Sequence, residues 1–227
     1  MKASESAIRT SFSLIKKNLN DCGLLYSWND SVVERLNRKE RRITWATSGT
    51  RPDLSSVSIS TISEYLMFLD GRHYQFRLND GSLIQLSYDI DGRGHVKQSR
   101  LVWYPCPIQF SLEELEYASI NELVLNAPTE IIVCRSPLRF DFSPDQATSN
   151  HSSSHMHLGM EEFRLPVHRA MEPSRFIRLI IRTMYPKIWK QFPAFKFTED
   201  WSAQDRLGSD DRAFGFLGWH PSAEAIY

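Results

Sequence analysis

Long apolar runs and paired cysteines are both missing from this chain of 227 residues. No apolar run approaches the ~18 residues that a membrane-spanning helix needs, and the N-terminus lacks the continuous apolar stretch of a signal peptide. The three cysteines stand far apart, without a C-x-x-C spacing. Because disulfide frameworks and cysteine metal sites leave recognisable spacings, this usage predicts a reduced, cytoplasmic protein with no membrane partner.

An excess of charge of either sign is missing as well. Lys plus Arg and Asp plus Glu both total 27, so net charge neither favours nor excludes nucleic acid, and any basic surface must be local. Hydrophobic residues make up 41% of the chain, as in ordinary globular proteins. A chain of this length buries a core without disulfide or metal staples, and we expect a single domain over residues 1–227.

Several well-defined catalytic motifs are also absent. The sequence has no G-x-x-x-x-G-K-[ST], so the chain does not bind a nucleoside triphosphate in the P-loop manner. It has no G-x-S-x-G and no H-E-x-x-H, which excludes the common serine-hydrolase elbow and the zincin helix. Any catalytic centre must therefore use another set of residues.

Residues 1–58 are predicted to form a helical N-terminal region. One helical stripe is made by apolar residues at spacings of four, three and four, namely Ile8, Phe12, Ile15 and Leu19. The charged segment Val32–Arg42 favours a second helix, and its basic residues are then a solvated helix face or, alternatively, a surface for nucleic acid or a partner.

Residues 59–190 are predicted to hold an antiparallel sheet. Three strand-like runs joined by Asn-Asp-Gly and Asp-Gly turns form a meander: Tyr74–Leu78, Leu83–Ile90 and His95–Tyr104. Four shorter strand-like runs follow, at Ile131–Cys134, Leu138–Phe142, Ser154–Leu158 and Glu162–Leu165. Pro173 then fits the first turn of a late apolar helix. Because strands and helices are grouped rather than alternating, the pattern predicts an α+β fold, with a mainly antiparallel twisted sheet flanked by helices.

The segment between residues 139 and 167 carries the chemically most specific pattern. His155 and His157 stand two apart, so a strand presents both imidazoles on one face. Glu161 follows four residues later and adds a carboxylate if the strand continues. Two imidazoles and a carboxylate can bind Zn, Fe or Mn. The alternative is a pair of hydrogen-bonded histidines on a half-buried strand, so a divalent metal is a hypothesis and no cofactor is firmly indicated.

Asp141 is the second candidate in this segment. It alternates with Phe140 and Phe142, which places its carboxylate on the polar face of its strand. If that strand pairs with the strand of the histidines, Asp141 approaches both imidazoles. Asp141, His155 and His157, together with Glu162 or alternatively Glu161, would then form the catalytic residues of a metal-dependent nuclease. The alternative is a plain ion pair between Asp141 and Arg139 at the surface.

Basic residues near the C-terminal part of this region form a third pattern. Arg175, Arg178 and Arg182 are spaced by three and four residues and share one helix face. Arg164 comes shortly before them. Arginines in such a row suit phosphate contacts, so we expect these four residues to bind nucleic acid. The alternative is a solvated helix face that neutralises acidic residues of the same chain.

Six sequence blocks follow one another along the chain in this order: YQFRLNDGSLIQLSYDI, SRLVWYPCPI, LRFDFSP, SHMHLG, FRLPV and EPSRFIRLIIRTMYP. This succession, from Glu64 to Pro186, resembles the bacterial family catalogued as domain of unknown function 2290. The resemblance implies a context, since such proteins are encoded beside a helicase in anti-phage systems. It therefore implies a helicase partner and contact with DNA or RNA through the complex. It implies no catalytic residues.

Three hypotheses about function follow. The first is an accessory or effector subunit of a bacterial anti-phage defence complex that acts with a helicase on nucleic acid. The second is a metal-dependent nuclease centred on His155 and His157. The third is a small-molecule metalloenzyme of cupin-like type, because the H-x-H-x3-E spacing partly matches a cupin metal motif. Detection of a bound metal ion would favour the second and third hypotheses over the first.

Overall fold

The computed structural model describes residues 1–47, 61–133, 135–148, 151–192, 212 and 215–218. Within these residues the α-helices are α1 (Glu5–Asp21), α2 (Ile62–Asp70), α3 (Ile120–Leu125), α4 (Pro173–Met184) and α5 (Pro186–Gln191). The strands are β1 (Leu25–Trp28), β2 (Ser31–Arg35), β3 (Glu40–Trp45), β4 (Phe76–Leu78), β5 (Leu83–Asp91), β6 (Val96–Tyr104), β7 (Leu138–Phe142), β8 (Ser154–Leu158) and β9 (Leu165–Pro166).

All nine strands of the described residues belong to one antiparallel sheet that does not close into a barrel. The main order is β1-β4-β5-β6-β7-β8-β9. The long strand β5 has two short partners on the same edge, because β4 pairs with its beginning and β3 pairs with its end. Strand β2 pairs only with β3. The predicted α+β fold with a mainly antiparallel sheet is confirmed, and the central meander is β4, β5 and β6.

The turns of the meander are built as their sequences predict. Gly81 closes the β4–β5 turn with a φ of +80°, in the left-handed region that favours glycine. In the β5–β6 turn the Asp91 carboxylate accepts hydrogen bonds from the backbone N–H groups of Arg93 (2.8 Å) and His95 (2.9 Å). Asp side chains stabilise tight turns in this way, which holds the long strands in register.

Helices cover the two faces of the sheet unequally. One face packs against α1 and α4, where the rings of Phe140 and Phe176 meet edge to face with centroids 6.0 Å apart. Helices α2 and α3 cover only one end of the other face, around Leu83 and Val102. Side chains of successive residues alternate between faces, so the rest of the second face carries polar residues of β6, β7 and β8.

The prediction of a helix over Val32–Arg42 is wrong. This segment forms a hairpin of β2 and β3, which pair from Ser31 opposite Trp45 to Arg35 opposite Arg41. The reason is tertiary, since Ile43 and Trp45 are buried and β3 completes the edge of β5. The N-terminal region is therefore helical only over α1, and residues 48–58 lie outside the described residues. The strand predicted at Glu162–Leu165 is also shorter and later, because β9 covers Leu165–Pro166 alone. The strand predicted at Ile131–Cys134 does not form over its described residues 131–133, where a single 3-10 turn ends at Ile131.

Candidate metal centre

Strands β7 and β8 place the candidate residues on the face of the sheet opposite α1 and α4. Asp141 lies directly opposite His155, and Arg139 lies directly opposite His157. Residues paired across an antiparallel ladder point to the same face, so all four side chains meet there. Their neighbours Phe140 and Phe142 point into the core. The pairing of these two strands, which the sequence analysis assumed only conditionally, is present.

The Asp141 carboxylate and both imidazoles form a compact group of three ligand atoms. Oδ2 of Asp141 lies 3.6 Å from Nε2 of His157 and 4.0 Å from Nε2 of His155. Each of the three residues offers one ligand atom, and these atoms lie within 4.8 Å of one another. Ligands of a tetrahedral ion with bonds of about 2.0–2.1 Å stand about 3.3 Å apart. The Asp141–His157 distance is close to this value, and the atoms that lie farther apart would have to draw together to share one ion.

Hydrogen bonding orients His155 for metal binding. Its Nδ1 lies 2.9 Å from the backbone carbonyl oxygen of Ser152, and since a carbonyl only accepts, Nδ1 carries the proton. The lone pair is then on Nε2, the atom that faces Asp141. Metal-binding histidines characteristically donate their second N–H to a carbonyl or a carboxylate in this way.

His157 is buried, with 1% of its surface exposed, and neither ring nitrogen has a hydrogen-bond partner among the described residues. Its Nε2 faces Asp141, while its Nδ1 lies 3.6 Å from Oε2 of Glu161. Leaving a buried polar group without a partner costs about 1–3 kcal/mol. A metal ion would give Nε2 a partner. The Glu161 carboxylate lies on the other side of the ring, where it can accept the proton of Nδ1.

Both imidazoles are held neutral. Burial lowers the pKa of His157 to about 4, and the nearby Arg139 guanidinium acts in the same direction. Burial also lowers the pKa of His155 below its usual value. Neutral imidazole is the form that binds metal, so at neutral pH neither histidine must lose a proton first.

Two arginines fix the carboxylates of the group. Nε of Arg100, on β6, lies 3.1 Å from Oδ1 of Asp141. Arg139 donates two hydrogen bonds of 2.7 Å to Glu161, and its Nε lies 2.9 Å from Oδ2 of Asp141. The hydrogen bonds from Arg139 lower the pKa of Glu161. Arg139 is only 3% exposed, so it forms a buried ion-pair network with Asp141 and not the surface pair considered above.

The two glutamates predicted at this site have different positions. Strand β8 ends at Leu158, and Gly159 turns the chain with a φ of +71°. The turn brings Glu161 back against Arg139 and the far nitrogen of His157, so Asp141, and not Glu161, supplies the carboxylate of the three-atom group. Glu162 is exposed and outside that group.

The predicted nucleic-acid-binding arginines are divided between the two faces. Arg164 is exposed in the loop after β8, and its charge is near enough to affect His155. The other three are on α4, which packs on the opposite face of the sheet from Asp141. Of these, Arg175 donates a hydrogen bond of 3.1 Å to Glu172.

Sequence reasoning missed two residues of the site. Nε2 of His151 lies 3.5 Å from Nε2 of His155, with the ring centroids 4.6 Å apart. The H-x3-H spacing was visible, but nothing local indicates that a turn folds His151 back onto β8. Arg100 is the second, and only the pairing of β6 with β7 brings it opposite Asp141.

Fold and site together define an α+β protein with a candidate two-histidine, one-carboxylate metal centre, largely buried, on the polar face of an antiparallel sheet. The chain belongs to the family described as "Uncharacterized conserved protein (DUF2290)", whose model matches residues 24–213. The match begins at β1 and therefore includes the β2–β3 hairpin. Searches of curated proteins and of solved structures found no match. Among the described helices, none combines the length and apolar character needed to cross a bilayer.

Proposed function

We propose that Asp141, His155 and His157 bind a divalent metal ion, and that this centre hydrolyses phosphodiester bonds of nucleic acid. The observation that carries the proposal is the group of three ligand atoms within 4.8 Å, contributed by two paired strands. Its support is the state of the imidazoles, since both are neutral and both direct Nε2 towards the carboxylate.

The chemistry follows from the number of ligands. A metal ion with three protein ligands keeps a position for water, lowers the pKa of that water and polarises a phosphoryl oxygen. The chain itself supplies the placement of the ligands, through the Ser152 carbonyl behind His155 and the Glu161 carboxylate behind His157.

The exposed charge beside the centre favours an anionic substrate. Arg100 and Arg139 are balanced by the carboxylates of Asp141 and Glu161, whereas Arg164 is exposed and its charge is near enough to affect His155. Guanidinium groups suit phosphate oxygens because their planar donors match the spacing of those oxygens. Arg164 is therefore the residue of the predicted nucleic-acid set that we place at the substrate.

We further propose that the protein acts as an effector subunit beside a helicase in anti-phage defence. Support for the partner comes from the family context that the sequence resemblance implies. It also comes from the absence of a P-loop, because unwinding of nucleic acid must then be done by another chain.

A second candidate function uses the same ligands. Two histidines and one carboxylate also bind Fe(II) in oxygenases, which is the chemistry of the small-molecule hypothesis. The sheet of the described residues is single and open, unlike the double-sheet jelly roll of cupins, so the fold itself does not favour a cupin.

The test uses the full chain, purified with and without the helicase. Its metal content is measured, and single- and double-stranded DNA and RNA are incubated with it in Mn²⁺, Zn²⁺ or EDTA. We expect cleavage that EDTA abolishes and that Asp141→Asn and His155→Gln both abolish while the helicase still co-purifies. Oxygen consumption with Fe(II) would favour the oxygenase. A metal-free protein that never cleaves, alone or in the complex, would exclude both.

A further inference from the structure

A basic cleft lies at the end of the sheet where the β2–β3 hairpin meets the β5–β6 turn. It has a volume of about 900 Å³. Its basic and amide lining residues are Arg35, Asn37, Arg38, Lys39, Arg41 and Arg93. We call it the hairpin cleft. None of these residues belongs to the candidate metal centre.

The acidic residues of the hairpin cleft are already engaged. Glu5 pairs with Arg41 at 3.0 Å. Glu40 accepts a hydrogen bond of 2.6 Å from the Asn37 amide. Asp91 accepts hydrogen bonds from the backbone of its own turn. Each carboxylate is therefore directed to a partner within the protein.

Three cations of the cleft are not neutralised. Arg38, Lys39 and Arg93 are exposed, and none has a carboxylate within ion-pair distance in the described part of the chain. Strand pairing also puts Arg35 directly opposite Arg41. Like charges directly opposite each other destabilise a hairpin, so the fold retains this charge density at some cost in stability.

The tip of the hairpin is held in shape by Asn37. Its Oδ1 accepts hydrogen bonds from the backbone N–H groups of Lys39 (2.8 Å) and Glu40 (3.0 Å). Such a turn is stabilised locally, and a ligand that binds beside it need not order the loop first.

We propose that the hairpin cleft binds the phosphate backbone of a nucleic acid. Most of its cations are arginines, whose forked donors match phosphodiester oxygens. The site is concave, which suits a strand better than a flat bilayer surface. This inference rests on the proposed function only for the identity of the polyanion, and it does not need the metal.

The hairpin cleft lies on the opposite face of the sheet from the metal centre. Strand pairing puts Val33 and Arg35 on the same face as Ile43, and Ile43 belongs to the core that α1 covers. Asp141 alternates with Phe140 and Phe142 of that core, so its carboxylate points to the other face. Binding at the cleft is therefore argued independently of the metal centre.

The experiment measures binding of single-stranded DNA and RNA oligonucleotides to the full chain in EDTA, over a range of salt concentrations. The test variant is Arg38→Gln/Arg93→Gln. The matched control Lys17→Gln/Lys187→Gln removes the same charge from exposed positions on α1 and α5. We expect the test variant to bind more weakly and to lower the slope of log K against log salt by about 1.4, since each phosphate contact on a single strand contributes roughly 0.7. Arg38→Lys/Arg93→Lys should recover most of the slope.

Each other outcome overturns the inference. An unchanged slope in the test variant would show that these arginines do not contact phosphate. An equal loss in the control would show an effect of net charge alone. Binding to vesicles that contain anionic lipid, without binding to oligonucleotides, would identify a membrane surface instead. Because the metal centre is intact and EDTA is present, these results are independent of whether the protein hydrolyses anything.

Discussion

Asp141 and His155 face each other across β7 and β8, and the same carboxylate lies even closer to the diagonal residue His157. The Oδ2–Nε2 distances are 4.0 Å and 3.6 Å. A metal ion held by these atoms would link two adjacent strands by their side chains. Binding of metal should therefore stabilise the fold as well as create a reactive centre.

The first prediction concerns metal binding itself. The full chain should bind one Zn²⁺ or Mn²⁺ ion in calorimetry, and metal at 100 times its Kd should add about 2.7 kcal/mol to the free energy of unfolding. Asp141→Asn and His157→Gln should each abolish this binding. His95→Gln is the matched control, because His95 is 51% exposed at its side chain and pairs with Asp91 in a turn. Equal loss in the control would show that binding occurs elsewhere.

The second prediction separates two neighbouring glutamates. Glu161→Gln should weaken metal binding about 10–100-fold, the usual effect of removing a group that orients a ligand. Glu162→Gln should leave metal affinity unchanged, since this side chain is exposed and outside the group. Metal affinity is measured by competition with a chelating dye, and thermal unfolding shows that both variants are folded. The reverse pattern would restore Glu162 to the role that sequence reasoning assigned to it.

The third prediction concerns pH and the metal-free protein. Burial lowers the pKa of His157 from 6.5 to about 4, so between these values the unfolded chain binds more protons than the folded one. Stability should therefore rise as pH increases from about 4 to 6.5, with a slope of up to about 1.4 kcal/mol per pH unit from His157. Above pH 6.5, His157 should cause no further change in stability. Urea unfolding in EDTA measures the slope, and His157→Gln should reduce it. A flat profile in the unsubstituted protein would contradict the burial of a neutral imidazole.

The fourth prediction concerns the arginines of α4. This helix lies on the face of the sheet away from Asp141, so we expect its basic row to contact an acidic surface of the partner and not the substrate at the centre. Arg178→Ala/Arg182→Ala should weaken co-purification with the helicase at low salt. The difference from the unsubstituted protein should shrink as salt rises, because salt screens the ion pairs that the substitutions remove. Arg9→Ala/Lys17→Ala on α1 removes the same charge and should have little effect. If the α4 variant instead loses oligonucleotide binding and salt dependence, the row is a phosphate-binding surface.

The fifth prediction is made in cells. Phage protection should be lost when either this gene or the neighbouring helicase gene is deleted. It should also be lost with Asp141→Asn, while the two proteins still co-purify, because this change removes the charge of the carboxylate and keeps the side-chain volume. Loss of assembly in that variant would mark the cluster as structural. Full protection without the helicase would contradict the partnership.

Local sequence patterns predict most of the secondary-structure elements. Helix α1, the meander, β7, β8 and α4 all form where periodicity, turn residues and proline predicted them. The charged hairpin was misread because its sequence is polar, and its strand character comes from pairing with β5 and from burial of Ile43 and Trp45. Alternation of polar and apolar residues along a strand can be read from the sequence. The pairing of a strand with the edge of a sheet cannot, because it depends on residues far away in the chain.

The sequence by itself determined which face each candidate side chain occupies. Asp141 alternates with phenylalanines and His155 alternates with Met156, so the pleat of a strand sends the polar members to one side. Tertiary structure decided which of them meet. The pairing of β6, β7 and β8 brings Arg100, Asp141 and His155 into one row. The left-handed turn at Gly159 selects Glu161 over Glu162. Such contacts join residues that are far apart along the chain, and they depend on strand order and register, which are decided by burial across the whole sheet.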